Sequence, residues 1–233
     1  ASVFGTIYHD VMEHIYSPYE GQTITYEIID NIKSDQKGIE DAMLKSFALK
    51  YYNVKTPKPL TGRLYLRGEI IKKMVNRTLD IDKGRVPFVM LKTELNIETT
   101  MSLPDGYDVQ LKGFIDRLDL EGNNINIIDY KSGSAKIDFD KVEKLFMPHK
   151  ERKKQVFQLL FYVLLMKNAI EDNTGGNIKN PQIASLLKSI GIENSSHNKA
   201  FVPGLYAFEN YFLNKFEWQV RKKTRTVTEL ISI

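Results

Sequence analysis

The chain has 233 residues, 42% hydrophobic and 27% charged, a balance suited to one sizeable globular domain. It contains no cysteine, which excludes disulfides and thiolate metal sites. No apolar run reaches the length of a membrane span and no signal-peptide pattern is present, so the expectation is a cytoplasmic protein without a membrane partner. The formal net charge of +4 is compatible with a nucleic-acid partner without demanding one.

Taken in chain order, Ser2–Tyr16 has helical spacing, with Phe4, Ile7, Tyr8, Val11 and Ile15 forming one apolar stripe. Gly5, His9, Glu13 and Tyr16 fall on an adjacent face. A glycine inside a helix costs up to about 1 kcal/mol relative to alanine, so Gly5, one turn before His9, suggests a close approach there. The chain begins almost inside this helix, as expected of a domain excised from a longer protein. Glu20–Lys58 is polar and mixed. Within it Gly38–Tyr52 reads as a helix, with Ile39, Ala42, Met43, Phe47 and Leu49 or Lys50 inward. Lys55–Pro59 is a proline-bounded loop. Leu64–Leu79 is a stronger helix, with Leu64, Ile70, Ile71, Met74, Val75 and Leu79 apolar. These helices read as structural.

Phe88–Thr99 reads as a strand carrying Glu94, and Leu103–Tyr107 as a turn. Leu111–Glu121 and Asn124–Lys131 then form a hairpin through Gly122-Asn123, a favoured two-residue loop. Counting back from that loop sets Leu120 against Ile125, Leu118 against Ile127, Asp116 against Asp129 and Phe114 against Lys131, all on one face. Like charges opposed in this way are destabilising. A hard divalent cation neutralises them best, and Lys131 adds a second positive charge. A lone Asp-x-Lys is common in proteins. The facing Asp116 and the apolar run Ile125–Ile128 make this one a candidate metal-hydrolysis site.

Beyond the hairpin, Ser132–Lys136 reads as a loop and Asp138–Leu145 as a short helix. Lys141–Lys154 holds six basic and two acidic residues, among them Lys150, Arg152, Lys153 and Lys154. Beside a hydrolytic site such a run is what a phosphate-backbone track needs. Gln155–Ala169 is apolar almost all round and should be a buried helix. Gln158 and Tyr162 lie one turn apart on it, and buried amide and phenol groups need partners. Asn173–Asn180 is a loop. Pro181–Ser189 is a strand or a short helix. Leu205–Phe208 is a strand able to join the sheet. Trp218–Arg225 is basic, and Val227–Ile233 is expected to dock or to continue into further sequence.

Gly113-x-x-Asp116-Arg117-x-Asp119 followed by Ile128-Asp129-Tyr130-Lys131-Ser132-Gly133 resembles the core of the PD-(D/E)xK nucleases, with the closer match in the RecB/AddB-type exonuclease branch. Gly5-Thr6-Ile7-Tyr8-His9 is similar to that branch's G-x-x-x-H helix, and Gln158-Leu-Leu-Phe-Tyr162 to its Q-x-x-x-Y helix. The resemblance runs from His9 to Tyr162. It implies an α/β fold with a restriction-endonuclease-like core, a central mixed sheet flanked by helices. Residues 1–233 would be a single nuclease domain of a helicase-exonuclease-type protein.

The implied activity is Mg²⁺- or Mn²⁺-dependent hydrolysis of DNA, as an exonuclease of repair or recombination. His9, Asp116, Asp129 and the Tyr130 carbonyl would ligate the cation, with Glu94 assisting through water. Lys131 would orient the nucleophilic water or stabilise charge on the phosphorane. Gln158 and Tyr162 would hold the phosphate or Lys131. Arg117 and Asp119 point to the other face and read as an ion pair. The implied partners are DNA and a helicase, in the same chain or in a partner subunit. Several relatives close the domain with an iron–sulfur cluster on four cysteines; with no cysteine, this chain has no such cluster. The alternatives are a non-catalytic DNA-binding or scaffolding domain on the same fold, and a stand-alone endonuclease.

Overall fold

A computed structural model describes residues 3–148, 153–174, 178–193, 198–212, 216–223 and 228–230. The chain divides into two compact units: Ala1–Thr93 with Tyr130–Ala135 and Tyr206–Glu217, and Glu94–Asp129 with Lys136–Leu205 and Trp218–Ile233.

The first unit is mainly helical. In α1 (Val3–Tyr16) the predicted stripe is buried through Ile7, Tyr8, Val11 and Ile15, widened by Met12 and Tyr16. A two-residue strand, β1 (Thr23–Ile24), and α2 (Tyr26–Ser34) occupy a stretch with no predicted element. The Thr25 hydroxyl caps α2 by accepting from the Ile28 amide. In α3 (Gln36–Lys50), capped by Asp35, the buried face runs through Ile39, Ala42, Met43 and Phe47 and ends on Ala48. Leu49, expected inward, is 54% exposed. The smaller Ala48 is buried in its place. In α4 (Gly62–Lys83) Ile71, Met74, Val75 and Leu79 are buried, whereas Ile70, also apolar, is exposed. Ile71 takes the inward position beside it.

Helix α1 packs on α3 and α4, and α2 on α4. Two buried polar clusters sit within this apolar packing. The Asp82 carboxylate, fully buried, accepts from Tyr16 at 2.6 Å and Tyr206 at 3.0 Å and lies 3.5 Å from the Arg85 guanidinium. The hydroxyls of Tyr8, Thr78 and Tyr211 close a triangle with sides of 2.7 to 3.1 Å. Each buried group thus has the partner that burial demands.

The remaining strands are β2 (Phe88–Ser102), β3 (Asp108–Glu121), β4 (Asn124–Lys131), β5 (Asp138–Phe139), β6 (Ala200–Ala207), β7 (Arg221–Lys223) and β8 (Thr228–Leu230). Five form a curled mixed sheet in the order β1–β2–β3–β4–β6, the restriction-endonuclease-like α/β arrangement. The other three form a small sheet in the order β5–β7–β8.

In the second unit the hairpin takes the predicted register, from Glu121 opposite Asn124 to Arg117 opposite Ile128. Gly122 supplies the turn with φ +59°. The predicted helix over Asp138–Leu145 is instead β5 followed by a single 3₁₀ turn, Val142–Leu145. Asp138 pairs in parallel with Arg221 and accepts from its guanidinium at 3.0 Å, which holds this stretch extended. Helix α5 (Lys154–Asn173) packs on β3 and on α6 (Pro181–Ser189). Pro181–Ser189 is thus the helix of its two readings: the Asn180 side chain accepts from Gln182 and Ile183 amides, and Pro181 needs no partner in the first turn.

Candidate functional site

The site begins with two adjacent strands. Continuing the hairpin register one step beyond Arg117 and Ile128 brings Asp116 opposite Asp129. Both are buried, Asp116 at 9% and Asp129 at 1% exposure. The apolar pairs Leu118–Ile127 and Leu120–Ile125 continue the same face toward the turn. Burial raises the cost of two facing carboxylates, because less solvent screens them. Lys131, half-buried, follows Asp129 on the same face of β4.

The opposite face of the hairpin carries a different arrangement. Arg117 and Asp119 form an ion pair through Nη2 at 2.7 Å and Nε at 2.9 Å, with both side chains fully buried. The Asn126 amide donates to the other Asp119 oxygen at 2.7 Å. The expected ion pair is present, but it lies in the core of the unit and not at a surface.

Glu94 has φ +45° within β2, a left-handed conformation rare for a residue with a side chain. Such a conformation costs on the order of 1 to 3 kcal/mol and persists only where the surroundings enforce it. The burial alternation of β2 also shifts near this point. Phe88 and Met90 are buried, then Leu91, Thr93, Leu95, Ile97 and Thr99.

Helix α5 brings Gln158 and Tyr162 to the same unit. The Gln158 amide donates to the Tyr162 hydroxyl at 2.6 Å. Burial pushes the phenol up to about 12; the Gln158 bond opposes this, and the negative field of Asp129, Asp116 and Glu94 adds to it. The phenol therefore stays protonated at neutral pH, within electrostatic reach of three carboxylates. Close approach of the helix needs a glycine on β3. A Cβ on Gly113 would lie 2.5 Å from Leu165 Cδ1 and 3.2 Å from Tyr162 Cε1.

On α1, His9 Nε2 stands 2.9 Å from the Tyr130 carbonyl oxygen. The His9 ring also meets the Tyr130 ring edge-on at 5.8 Å. Tyr130 directly follows Asp129, so the imidazole is anchored at the residue next to the carboxylate. Within the second unit, one carboxylate oxygen each from Glu94 and Asp116 lie within 4.8 Å of each other. Oxygens on opposite sides of a six-coordinate Mg²⁺ are about 4.2 Å apart, so this pair fits a small divalent cation with slight contraction. Hard carboxylate oxygens suit Mg²⁺ and Mn²⁺ alike.

Lys153 is the cap residue of α5 and half-buried, and Lys154 is exposed in its first turn. Lys150 and Arg152 lie outside the described residues. The feature that the sequence reading missed is the backbone of Glu94, since no residue pattern there calls for a left-handed turn.

The model of the PD-(D/E)XK nuclease superfamily matches residues 1–226. No curated relative matches the chain. The chain belongs to the PD-(D/E)XK nuclease superfamily, whose members are hydrolases that use divalent metals.

Proposed function

We propose that this member of the PD-(D/E)XK nuclease superfamily is a RecB/AddB-type exonuclease acting on DNA in repair or recombination, in partnership with a helicase. The observation that carries this reading is the pair of buried, cross-strand carboxylates Asp116 and Asp129 with Lys131 on the same strand face. Buried like charges without a structural role are costly, and a cation-dependent reaction is the function that explains keeping them.

A Mg²⁺ or Mn²⁺ ion would be held by His9, Asp116, Asp129 and the Tyr130 carbonyl, with Glu94 as a further ligand or as an acceptor for a ligating water. When bound, the ion lowers the pKa of water toward neutrality and neutralises phosphate charge. Lys131 donates to the phosphoryl oxygens as negative charge develops. The Tyr162 hydroxyl, protonated and oriented by Gln158, donates to phosphate or to an active-site carboxylate. Lys150, Arg152, Lys153 and Lys154 contact the DNA backbone.

The test is cleavage of end-labelled linear DNA and of closed circular DNA with Mg²⁺, Mn²⁺ or EDTA. Metal-dependent release of short products from linear DNA alone supports an exonuclease. Cutting of the circle replaces it with an endonuclease. Binding without cutting under every metal condition means a non-catalytic domain on this fold.

A further inference from the structure

The geometry points to a binding surface for single-stranded DNA on the C-terminal end of α3, the loop after it and the first half of α4. This deepens the nuclease reading and rests on it for the class of polyanion. Residues 50–73 contain seven lysines and arginines and one glutamate, whereas the whole chain has a net charge of only +4. The segment therefore concentrates more positive charge than the entire molecule carries net.

Helical spacing arranges that charge. Arg63, Leu66, Arg67, Ile70 and Lys73 recur every three or four residues and are all exposed, while Gly68, Ile71, Met74 and Val75 form the buried side of α4. Arg63 to Lys73 spans about 15 Å along the axis. Lys55 and Lys58 extend the charge through the loop, both exposed. Two of the seven cations are matched: Lys72 bonds Glu69 at 2.5 Å and Lys50 lies 3.5 Å from Asp10. Among the described residues, Lys55, Arg63, Arg67 and Lys73 make no ion pair, and Lys58 lies over the Tyr52 ring at 5.8 Å.

Aromatic rings are interleaved with this charge. Tyr51 is 47% exposed and Tyr65 54% exposed, and Tyr51 meets Tyr52 edge-on at 5.1 Å. Leu66 at 61% adds exposed apolar area. Exposed rings beside unmatched cations suit a strand whose bases are unpaired, because bases stack on rings while phosphates meet lysine and arginine. A duplex hides those base faces. An anionic membrane would also satisfy the charge and take tyrosines at its interface, so vesicles form a separate arm of the test.

The experiment is anisotropy of a fluorescein-labelled oligothymidylate, titrated with the full chain in EDTA from about 50 to about 200 mM salt. Each phosphate contact to a single strand contributes a slope of about −0.7 in log K against log salt. Replacing Lys55, Lys58, Arg63 and Arg67 by glutamine should flatten the slope by about 2 to 3 and weaken binding. Tyr65→Ala should weaken oligothymidylate binding about fivefold or more and leave the slope unchanged. Arg63→Lys with Arg67→Lys should keep the slope, which separates charge from any fault in folding.

An unchanged slope in the glutamine variant overturns the proposal. So does wild-type protein that captures anionic vesicles but no oligothymidylate, or a Tyr65→Ala variant that binds oligothymidylate as tightly as wild type. Metal-dependent cutting is scored separately. A chain that cuts DNA while the glutamine variant binds normally loses only this surface; a chain that binds through it and never cuts loses only the nuclease reading.

Discussion

The imidazole Nε2 of His9 and the carbonyl oxygen of Tyr130, 121 positions apart in the chain, stand 2.9 Å from each other. When that nitrogen is unprotonated both atoms offer a lone pair, so the two can serve as neighbouring ligands of one cation. Imidazole suits Mn²⁺ better than Mg²⁺, which favours oxygen. His9→Ala should therefore lower Mn²⁺ affinity more than Mg²⁺ affinity, and reduce cleavage without abolishing it. Calorimetric titration of both ions into the two proteins decides this. An unchanged ratio of affinities would remove His9 from the ligand set.

Asp116→Asn and Asp129→Asn should each abolish metal-dependent cleavage. Neither should unfold the apo-protein. Relief of like-charge repulsion contributes up to about 1 kcal/mol in a cross-strand pair, so urea midpoints should hold or rise slightly. Cleavage surviving in Asp129→Asn would leave the ion to His9, Glu94 and Asp116 alone.

Gly113→Ala should destabilise by about 1 to 3 kcal/mol, the range for overpacking a close contact. The added methyl meets Leu165 Cδ1 at 2.5 Å. Leu165→Ala should restore part of the loss in the double variant, because it makes room where the methyl points. Additive losses in denaturant unfolding of the four proteins would show that the clash is not with Leu165.

Tyr162 is a pH probe of its own site. Its folded pKa, about 12, lies above the unfolded value near 10, chiefly through burial. The stability this gives is fully present below about pH 10 and is lost as pH rises through about 12. Tyr162→Phe should remove one late-titrating tyrosine from an alkaline absorbance titration. It should also reduce alkaline loss of stability over that window. Activity at neutral pH should show no dependence on phenol ionisation.

The hairpin was legible because two local signals agree there: a Gly-Asn loop and an apolar alternation that counts back from it. The carboxylate pair followed from the same count. Helix α2 was not legible, because only Ile29 and Ile32 are buried in it, while its other large apolar residues, Tyr26 and Ile28, are not. Its existence depends on packing against α4, a contact no local pattern encodes. The Tyr8–Thr78–Tyr211 triangle joins positions 203 apart, which residue spacing cannot bring together. His9 stood out only through its spacing from Gly5 in a family pattern. Glu94 could be singled out as a strand glutamate, but its left-handed backbone is a property of the folded chain. Arg117 and Asp119 were assigned to the right face, yet full burial of an arginine runs against the usual habit of that residue.

That burial has a consequence for how the reactive centre is assembled. Asp119 and Asn126 are direct cross-strand partners joined by a side-chain bond, and Arg117 leans on the same carboxylate. A slip of one residue would turn Asn126 into the apolar layer and offer isoleucine to a buried charge. Misaligned hairpins are thus rejected by polar contacts that take no part in the chemistry. The alignment of Asp116 with Asp129 is proofread from the reverse side of the ribbon before any cation arrives.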